Sequence, residues 1–398
     1  MNASSVLQIL NITRPTLSKY VNDGTIKATK KENGQYDYDS ESVYKLLNKN
    51  NDTNIVKWSP NTCLKDGAPT GTFICGGINS RTARRNFLTN IINNSLNNDE
   101  NPIIMDFGNR LFNYHTQNIK YNFIDLDKLS TGSLNPFILI PNLDADELTN
   151  IIECLCGVFE ASIKNNLHNH IIDYMTVKHN NLDLYQLGFF LLDIADSAIQ
   201  QIGTLLLVSL DYEYGNLISA NNTSKVSTYS SNVHLDFNDT LYKKPIIIHT
   251  KHTFPDFKGA ADFISNRVLQ TITYIILLKI YKENLDNLNN CINTIFINCA
   301  DFLFNESYAI SDLIFNMLLT GKNSNKCIVL EINDITNIPA TFASTFSSKF
   351  IFRLSSTEQL HYYKNLSNIS NIGVDITNLS NDICLFEYVN ESKLIKLY

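Results

Sequence analysis

From residue 70 onwards, short apolar runs alternate with longer stretches of helical periodicity, and this alternation constrains the fold more than any other feature. Strands that alternate with helices predict an α/β fold with a mainly parallel sheet. The strands are predicted at GTFICGG, NPIIMDF, KPIIIHT, NTIFINC, KCIVLEI and KFIFRLS. The helices are predicted at 81–95, 145–165, 181–209, 259–284 and 306–320, and segment 215–245 is predicted to be rich in loops.

The composition is typical of a folded cytoplasmic protein. The chain has 398 residues, of which 44% are hydrophobic, enough for one large or two smaller domains. Its net charge of −7 argues against a protein that coats nucleic acid over its whole surface, but leaves a local basic patch open. Eight scattered cysteines without a signal peptide indicate reduced thiols, and none has zinc-site spacing, so no metal is expected. The longest apolar stretches are interrupted by Asp and Gln, so no membrane span is expected.

The first fifty residues have a pattern of their own. Helical apolar spacing near the start is followed by a second helix, with Thr13 as N-cap and Gly24 just past its end. Two short alternating strands flank Asn33–Gly34, which predicts a β-hairpin, and Asp39 or Ser40 caps a third helix. A polar stretch with turn-forming residues comes next. The predicted organisation is a small domain at 1–50, a linker at 51–70 and a large domain at 71–398.

Helix, turn, helix and hairpin in this order predict a winged helix-turn-helix domain. Residues 1–50 contain seven Lys and Arg against five Asp and Glu, about +2, which leaves about −9 for the rest of the chain. This asymmetry places DNA contact at the amino end. The stretch from SSVLQILN to YKLL resembles the MerR-type and excisionase-type winged heads of bacterial and mobile-element proteins. The resemblance implies binding of double-stranded DNA through Arg14, Thr16, Ser18 and Lys19 on the second helix and Lys27, Lys30 and Lys31 on the wing.

The alternative for this unit is a small helical cap that packs on the large domain and binds no DNA. Both interpretations are compatible with the sequence.

The segment FICGGINSRTARR has the order strand, glycine-rich turn and helix, as in a P-loop. A working P-loop reads G-x-x-x-x-G-K-[ST]: its amides surround the phosphates, its Lys binds phosphate oxygens and its hydroxyl binds Mg²⁺. Alignment on Thr82 puts Cys75 at the first glycine, Ser80 at the second and Arg81 at the lysine. The candidate nucleotide-binding residues are Gly76, Gly77, Ser80, Arg81 and Thr82.

Several later segments resemble, in the right order, the motor ATPases of the FtsK/HerA and conjugation type. They are NPIIMDFGN, STGSLNPF, NTIFINCADFLF, KCIVLEINDITNI, FASTFSSKFIFRLSS and the closing hairpin NIGVDITNLSNDICLF. The resemblance implies a RecA-like P-loop domain over most of residues 70–398.

The catalytic positions of that family are altered here. In the resemblance Asn298 stands at the Mg²⁺-linked Asp and Cys299 at the catalytic Glu of the Walker B strand. An amide carries no charge for the metal, and a thiol is a poor base for water. Ile332–Asn333 stand where a sensor Gln is expected. Phosphoryl transfer depends on these groups for positioning and charge neutralisation. The sequence therefore predicts a pseudo-ATPase with no catalytic residues.

The preferred hypothesis is a DNA-binding protein of a plasmid, integrative element or phage. Its degenerate domain would be a scaffold that associates with itself or with an active translocase, with no cofactor or with ATP and Mg²⁺ bound without turnover. One alternative is a weak DNA-stimulated ATPase or translocase in DNA transfer or packaging that uses Arg81 and Asp301. A less favoured one is a serine-transposase-like recombinase with its nucleophile at Asn79 or Ser80, but Gly77 then stands where that chemistry needs an arginine.

Overall fold

A computed structural model describes most of the chain. The described residues are 1–10, 12–31, 34–39, 42–43, 46, 58, 71–97, 100, 102–107, 121–140, 142–177, 182–212, 214–219, 245–250, 260–283, 293–304, 308–324, 326–366, 376–388 and 391–396.

The amino-terminal elements are two helices followed by an antiparallel hairpin. Helix α1 spans Ala3–Leu10, α2 spans Arg14–Asn22, and strands β1 (Ala28–Lys30) and β2 (Tyr36–Tyr38) pair. Gly24 has a φ of +76°, a conformation that favours glycine, and ends α2 as predicted. Thr13 occupies the N-cap position, but its side chain caps no amide.

The Asp39 carboxylate accepts a hydrogen bond from the Ser42 amide at 2.9 Å, as an N-cap of a following helix does. Asn33 and Ser40 lie outside the described residues. These elements are the ones that the sequence predicts. Their identity as a winged helix-turn-helix remains a prediction, as do the domain boundaries.

The large α/β part is built around a nine-stranded sheet with the order β11-β10-β9-β3-β8-β7-β4-β6-β5. Neighbours from β9 to β5 run parallel, while β10 pairs antiparallel with β9 and β11. The predicted mainly parallel sheet is thus confirmed. A closing hairpin is also present, but β10 and β11 form it, and it lies later in the chain than the predicted segment NIGVDITNLSNDICLF, of which only the end belongs to β10. The strands are β3 (Gly71–Cys75), β4 (Ile103–Phe107), β5 (Asn122–Asp125), β6 (Ile246–Thr250), β7 (Asn293–Asn298), β8 (Lys326–Ile332), β9 (Ser348–Ile351), β10 (Ile383–Tyr388) and β11 (Glu391–Lys396).

Helices cover the sheet and form a lobe between β5 and β6. They are α3 (Arg81–Asn97), α4 (Pro136–Leu139), α5 (Ala145–Cys156), α6 (Ala161–Val177), α7 (Leu184–Leu192), α8 (Ser197–Asp211), α9 (Gly215–Ile218), α10 (Ala260–Glu283), α11 (Tyr308–Ser324), α12 (Ala340–Ala343) and α13 (Thr357–Leu366). No helix of the described residues combines the length and apolar character that crossing a bilayer requires.

Two predicted helices are wrong in extent, and strands β5 and β11 were not predicted. The helix predicted at 145–165 breaks at Gly157, whose φ is +106°. The helix predicted at 181–209 breaks before Asp196, which caps α8 by accepting from the amides of Ala198 and Ile199. Strand β5 is a short sheet edge without a long apolar run. The predicted loop-rich segment 215–245 begins with α9, and its residues 220–244 lie outside the described part.

Candidate functional site

The loop between β3 and α3 is short and closed on itself. After Cys75 only Gly76 and Gly77 precede a turn of 3₁₀ helix, Ile78–Ser80. The Gly77 amide donates to the Arg353 carbonyl at 2.8 Å, and the Ser80 amide donates to the Gly77 carbonyl at 3.0 Å. A phosphate-binding loop needs its backbone N–H groups directed at the anion. Here two of them are used within the protein.

The side chain of Arg84, on the first turns of α3, fills the interior of this loop. It is 0% exposed. Its Nη1 donates to the Gly77 carbonyl and to Ser80 Oγ, both at 2.8 Å. Its Nε donates to Glu331 Oε1 at 2.7 Å, and its Nη2 donates to Asn333 Oδ1 at 2.8 Å. One guanidinium therefore joins the loop to the end of β8 and compensates the buried Glu331 carboxylate.

The two glycines are required because neighbouring side chains occupy the space beside them. A Cβ on Gly76 would overlap Ser80 Oγ and lie 2.7 Å from Phe352 Cβ. A Cβ on Gly77 would overlap Ser355 Oγ and lie 2.5 Å from the Ser355 amide. In a working P-loop the glycines leave room for phosphate, whereas here they leave room for the protein's own side chains.

The other predicted nucleotide-binding residues differ in burial. Ser80 is 1% exposed, and its hydroxyl donates to the Gly77 carbonyl at 2.8 Å. Arg81 is half-buried, and Thr82 is exposed on the first turn of α3. A buried Ser80 with these bonds has a structural role, which gives no support to its use as a recombinase nucleophile.

The Walker B-like residues lie at the carboxyl end of β7. Asn298 pairs in register with Asp106 of β4, and its Nδ2 donates to Asp106 Oδ1 at 2.8 Å. Cys299 has a φ of +54°, and its amide donates to Glu331 Oε2 at 3.0 Å. Both residues are buried. Asn298 thus satisfies a buried carboxylate instead of holding a metal, and the Cys299 backbone supports Glu331.

Asp301, the alternative catalytic acid, is committed to the backbone of the turn after β8. Its Oδ1 and Oδ2 accept from the Asn333 amide at 3.0 and 2.9 Å, and Oδ1 also accepts from the Asp334 amide at 2.7 Å. Burial, together with the nearby Glu331 carboxylate, raises the pKa of Asp301 to about 6, although the hydrogen bonds from Asn333 and Asp334 oppose the rise.

A second set of hydrogen bonds connects the turn after β8 to the loop between β3 and α3. Asp334 accepts from Gln359 Nε2 at 3.0 Å, and Gln359 Oε1 accepts from the Ser355 amide at 2.9 Å. Ser355 is the residue that contacts Gly77. The loop is therefore held from two sides, through Arg84 and through Ser355.

Four buried polar side chains lie side by side on neighbouring strands of the sheet. Asp125, His249, Asp106 and Asn298 are neighbours on β5, β6, β4 and β7. His249 Nε2 lies 3.9 Å from Asp125 Oδ2, and burial lowers the pKa of His249 while the surrounding carboxylates oppose that effect. In the described part of the chain no three His, Cys, Asp or Glu side chains are arranged to hold a metal ion.

Most of the predicted DNA-binding residues are exposed. They are Arg14, Ser18, Lys19, Lys27, Lys30 and Lys31. Thr16 is half-buried and lies 3.0 Å from Thr13 through the two hydroxyls. Lys31 pairs with Asp37 at 3.1 Å, which offsets part of its charge. Their contact with DNA remains a prediction.

Sequence reasoning missed Arg84 and Glu331. A charged residue inside the apolar strand KCIVLEI was the available signal, because a buried carboxylate requires a partner. The sequence offered several arginines for that partner, and three-dimensional structure was needed to select Arg84.

Comparisons with known proteins yield solved structures only. No family model matches the chain. No curated protein matches it either. VirB4 of Thermoanaerobacter pseudethanolicus is similar over 83% of this chain and 89% of its own, with a TM-score of 0.59 and 9% identity. The bacterial conjugative coupling protein TrwB, lacking its first 70 residues, is similar over 84% of this chain and 85% of its own, with a TM-score of 0.53 and 10% identity. At such identities these likenesses show the fold alone: the large α/β part of this chain has the fold seen in VirB4 and TrwB.

Proposed function

We propose that this chain is a DNA-binding protein of a mobile element, plasmid or phage that acts in DNA transfer, with a P-loop domain that serves as a non-hydrolysing scaffold. The observation that carries the proposal is Arg84, whose guanidinium lies inside the loop between β3 and α3 and donates a hydrogen bond to the Gly77 carbonyl.

The residues present do not fit a magnesium triphosphate. A triphosphate needs free loop amides and a cation directed at its oxygens, and Mg²⁺ needs carboxylate or hydroxyl oxygens. In this loop a carbonyl and a guanidinium face each other instead. The carboxylates of Glu331 and Asp301 are bonded to Arg84 and to backbone amides. Opening the site would leave these buried charges without their partners.

The DNA-binding part of the proposal rests on charge and exposure. Five of the seven candidate residues are both exposed and basic, namely Arg14, Lys19, Lys27, Lys30 and Lys31, while the rest of the chain is acidic. A local basic surface on an acidic protein attracts phosphate backbones at that surface only. The scaffold would associate with further copies of itself or with an active translocase.

A second candidate is a DNA-stimulated ATPase or translocase in DNA transfer, with Arg81 at the phosphates. The fold shared with VirB4 and the conjugative coupling protein TrwB favours it. It requires the loop to open, so that Arg84 leaves the Gly77 carbonyl.

Phosphate release from ATP, measured with and without duplex DNA, separates the two candidates. We expect no turnover above background in either condition, because neither a metal-binding carboxylate nor a base is available at Asn298 and Cys299. DNA-stimulated turnover that disappears in Arg81→Ala would establish the second candidate and reject the first.

Charge reversal on the hairpin tests DNA binding. We expect Lys27→Glu with Lys30→Glu to lower duplex affinity by about tenfold or more and to reduce the salt slope by about 2, one for each lost phosphate contact. Lys31 is left intact because it pairs with Asp37. Fluorescence anisotropy over a salt series provides the measurement.

The matched control is Lys364→Glu with Lys393→Glu, which makes the same change in net charge at exposed positions outside residues 1–50. Equal affinity losses for the two pairs would reject a localised DNA surface.

A further inference from the structure

Trp58, the single tryptophan of the chain, lies on the face of the large sheet that carries α3. Its ring meets the ring of Phe350 edge-on, with centroids 5.0 Å apart. Its backbone carbonyl accepts a hydrogen bond from Asn94 Nδ2 at 3.4 Å. The side chain is half-buried against the apolar cluster of this face.

The elements that hold Trp58 are also those that hold the closed loop. Helix α3 carries Asn94 and, near its start, Arg84. Phe350 belongs to β9, and the chain beyond that strand supplies the Arg353 carbonyl that accepts from Gly77. Phe87 of α3 packs on Phe350 with ring centroids 4.6 Å apart. Trp58 is thus seated on the same layer as the loop.

We propose that this aromatic face is a docking surface whose occupant is the linker of this chain, anchored through Trp58, and that the anchor sets the reach of the amino-terminal head. The anchor divides the linker into two shorter segments. With Trp58 docked, the chain from residue 46 to residue 58 lets residue 46 lie at most about 40 Å from the docking point. With Trp58 released, the nearest fixed point is residue 71, and residue 46 can then lie up to about 85 Å from it. The proposal rests on the proposed function only in that the head binds DNA. Docking restricts how far from the bound DNA site the P-loop domain lies.

The proposed anchoring depends on the size and rigidity of the Trp58 side chain. A tryptophan ring supplies a large apolar area with few rotatable bonds, so it is well suited to fasten an extended segment. Asn94 adds a backbone contact that does not depend on the ring. Loss of the ring should therefore release the linker, whereas a smaller aromatic side chain should retain part of the docking.

Tryptic cleavage after Lys57 tests the proposal without DNA or nucleotide, so its failure is distinguishable from failure of the proposed function. The Trp58 ring must leave the sheet face before the bond that precedes it can enter the protease. We expect cleavage there to be about tenfold faster in Trp58→Ala than in the wild type, with Trp58→Phe in between. Equal rates in all three proteins would overturn the proposal.

Iodide quenching of the wild-type fluorescence keeps the test independent of variant folding, because Trp58 is the only tryptophan. We expect a quenching constant about threefold lower than that of N-acetyltryptophanamide, as for a partly buried ring. A constant equal to that of the free compound would also reject docking.

Discussion

Replacement of Arg84 by alanine is expected to lower the free energy of unfolding by about 3–5 kcal/mol, because it leaves the Glu331 carboxylate buried without its cation. The variant also removes the arginine donor to Ser80 Oγ and one of the three donors to the Gly77 carbonyl. These lost hydrogen bonds in a buried site add to the cost. Urea unfolding followed by circular dichroism at pH 7 gives the measurement.

Two further variants separate this ion pair from a general effect of removing an arginine. Arg81→Ala, one turn earlier and half-buried, should cost about 1 kcal/mol or less. The double variant Arg84→Met with Glu331→Leu should recover much of the loss, since an apolar pair of similar volume carries no desolvation penalty. A cost for Arg84→Ala as small as that for Arg81→Ala would show that the guanidinium is not held in the loop.

The stability of the protein is expected to contain a pH-dependent contribution from Asp301 of about 3 kcal/mol. The pKa of this carboxyl rises from an ordinary value of 3.8 to about 6 in the folded state, because burial disfavours the charged form. The contribution is therefore complete below pH 3.8 and is lost as the pH rises through 6. Asp301 thus makes unfolding easier at pH 7 than at pH 4, relative to a residue that does not titrate.

Asp301→Asn serves as the comparison, since the amide keeps an acceptor oxygen for the Asn333 amide but does not ionise. Urea unfolding of both proteins between pH 4 and 7 isolates the contribution as the change in their stability difference. The wild type should lose about 2 kcal/mol more than the variant over this range, since part of the contribution is already lost at pH 4. A difference that is constant with pH would contradict the burial of this carboxyl.

The parallel sheet could be predicted from sequence because its strands are apolar runs separated by helical periodicity. Strands such as Ile246–Thr250 and Lys326–Ile332 are buried along their whole length, so each contains a continuous apolar run, III in the first and CIVL in the second. Helix ends inside long apolar stretches were harder to predict. Gly157 ends a helix through its backbone conformation, and Asp196 begins one through a side-chain cap. The edge strand Asn122–Asp125 is short and has no strong pattern.

The altered phosphate-binding loop was also visible in the sequence, through Cys75, Ser80 and Arg81 at the motif positions. The sequence did not show, however, that the Arg84 side chain fills this loop. Arg84 and Glu331 are 247 residues apart, and only the parallel pairing of β3 with β8 brings them together. A motif comparison finds what a site has lost, whereas the replacement is set by packing between distant segments.

A crystal structure grown with a non-hydrolysable ATP analogue and Mg²⁺ tests the central claim most directly. The account predicts an unchanged loop, with Arg84 Nη1 on the Gly77 carbonyl and with no phosphate between β3 and α3. A triphosphate cradled by the Gly77–Thr82 amides, with Arg84 turned away from the loop, would contradict it.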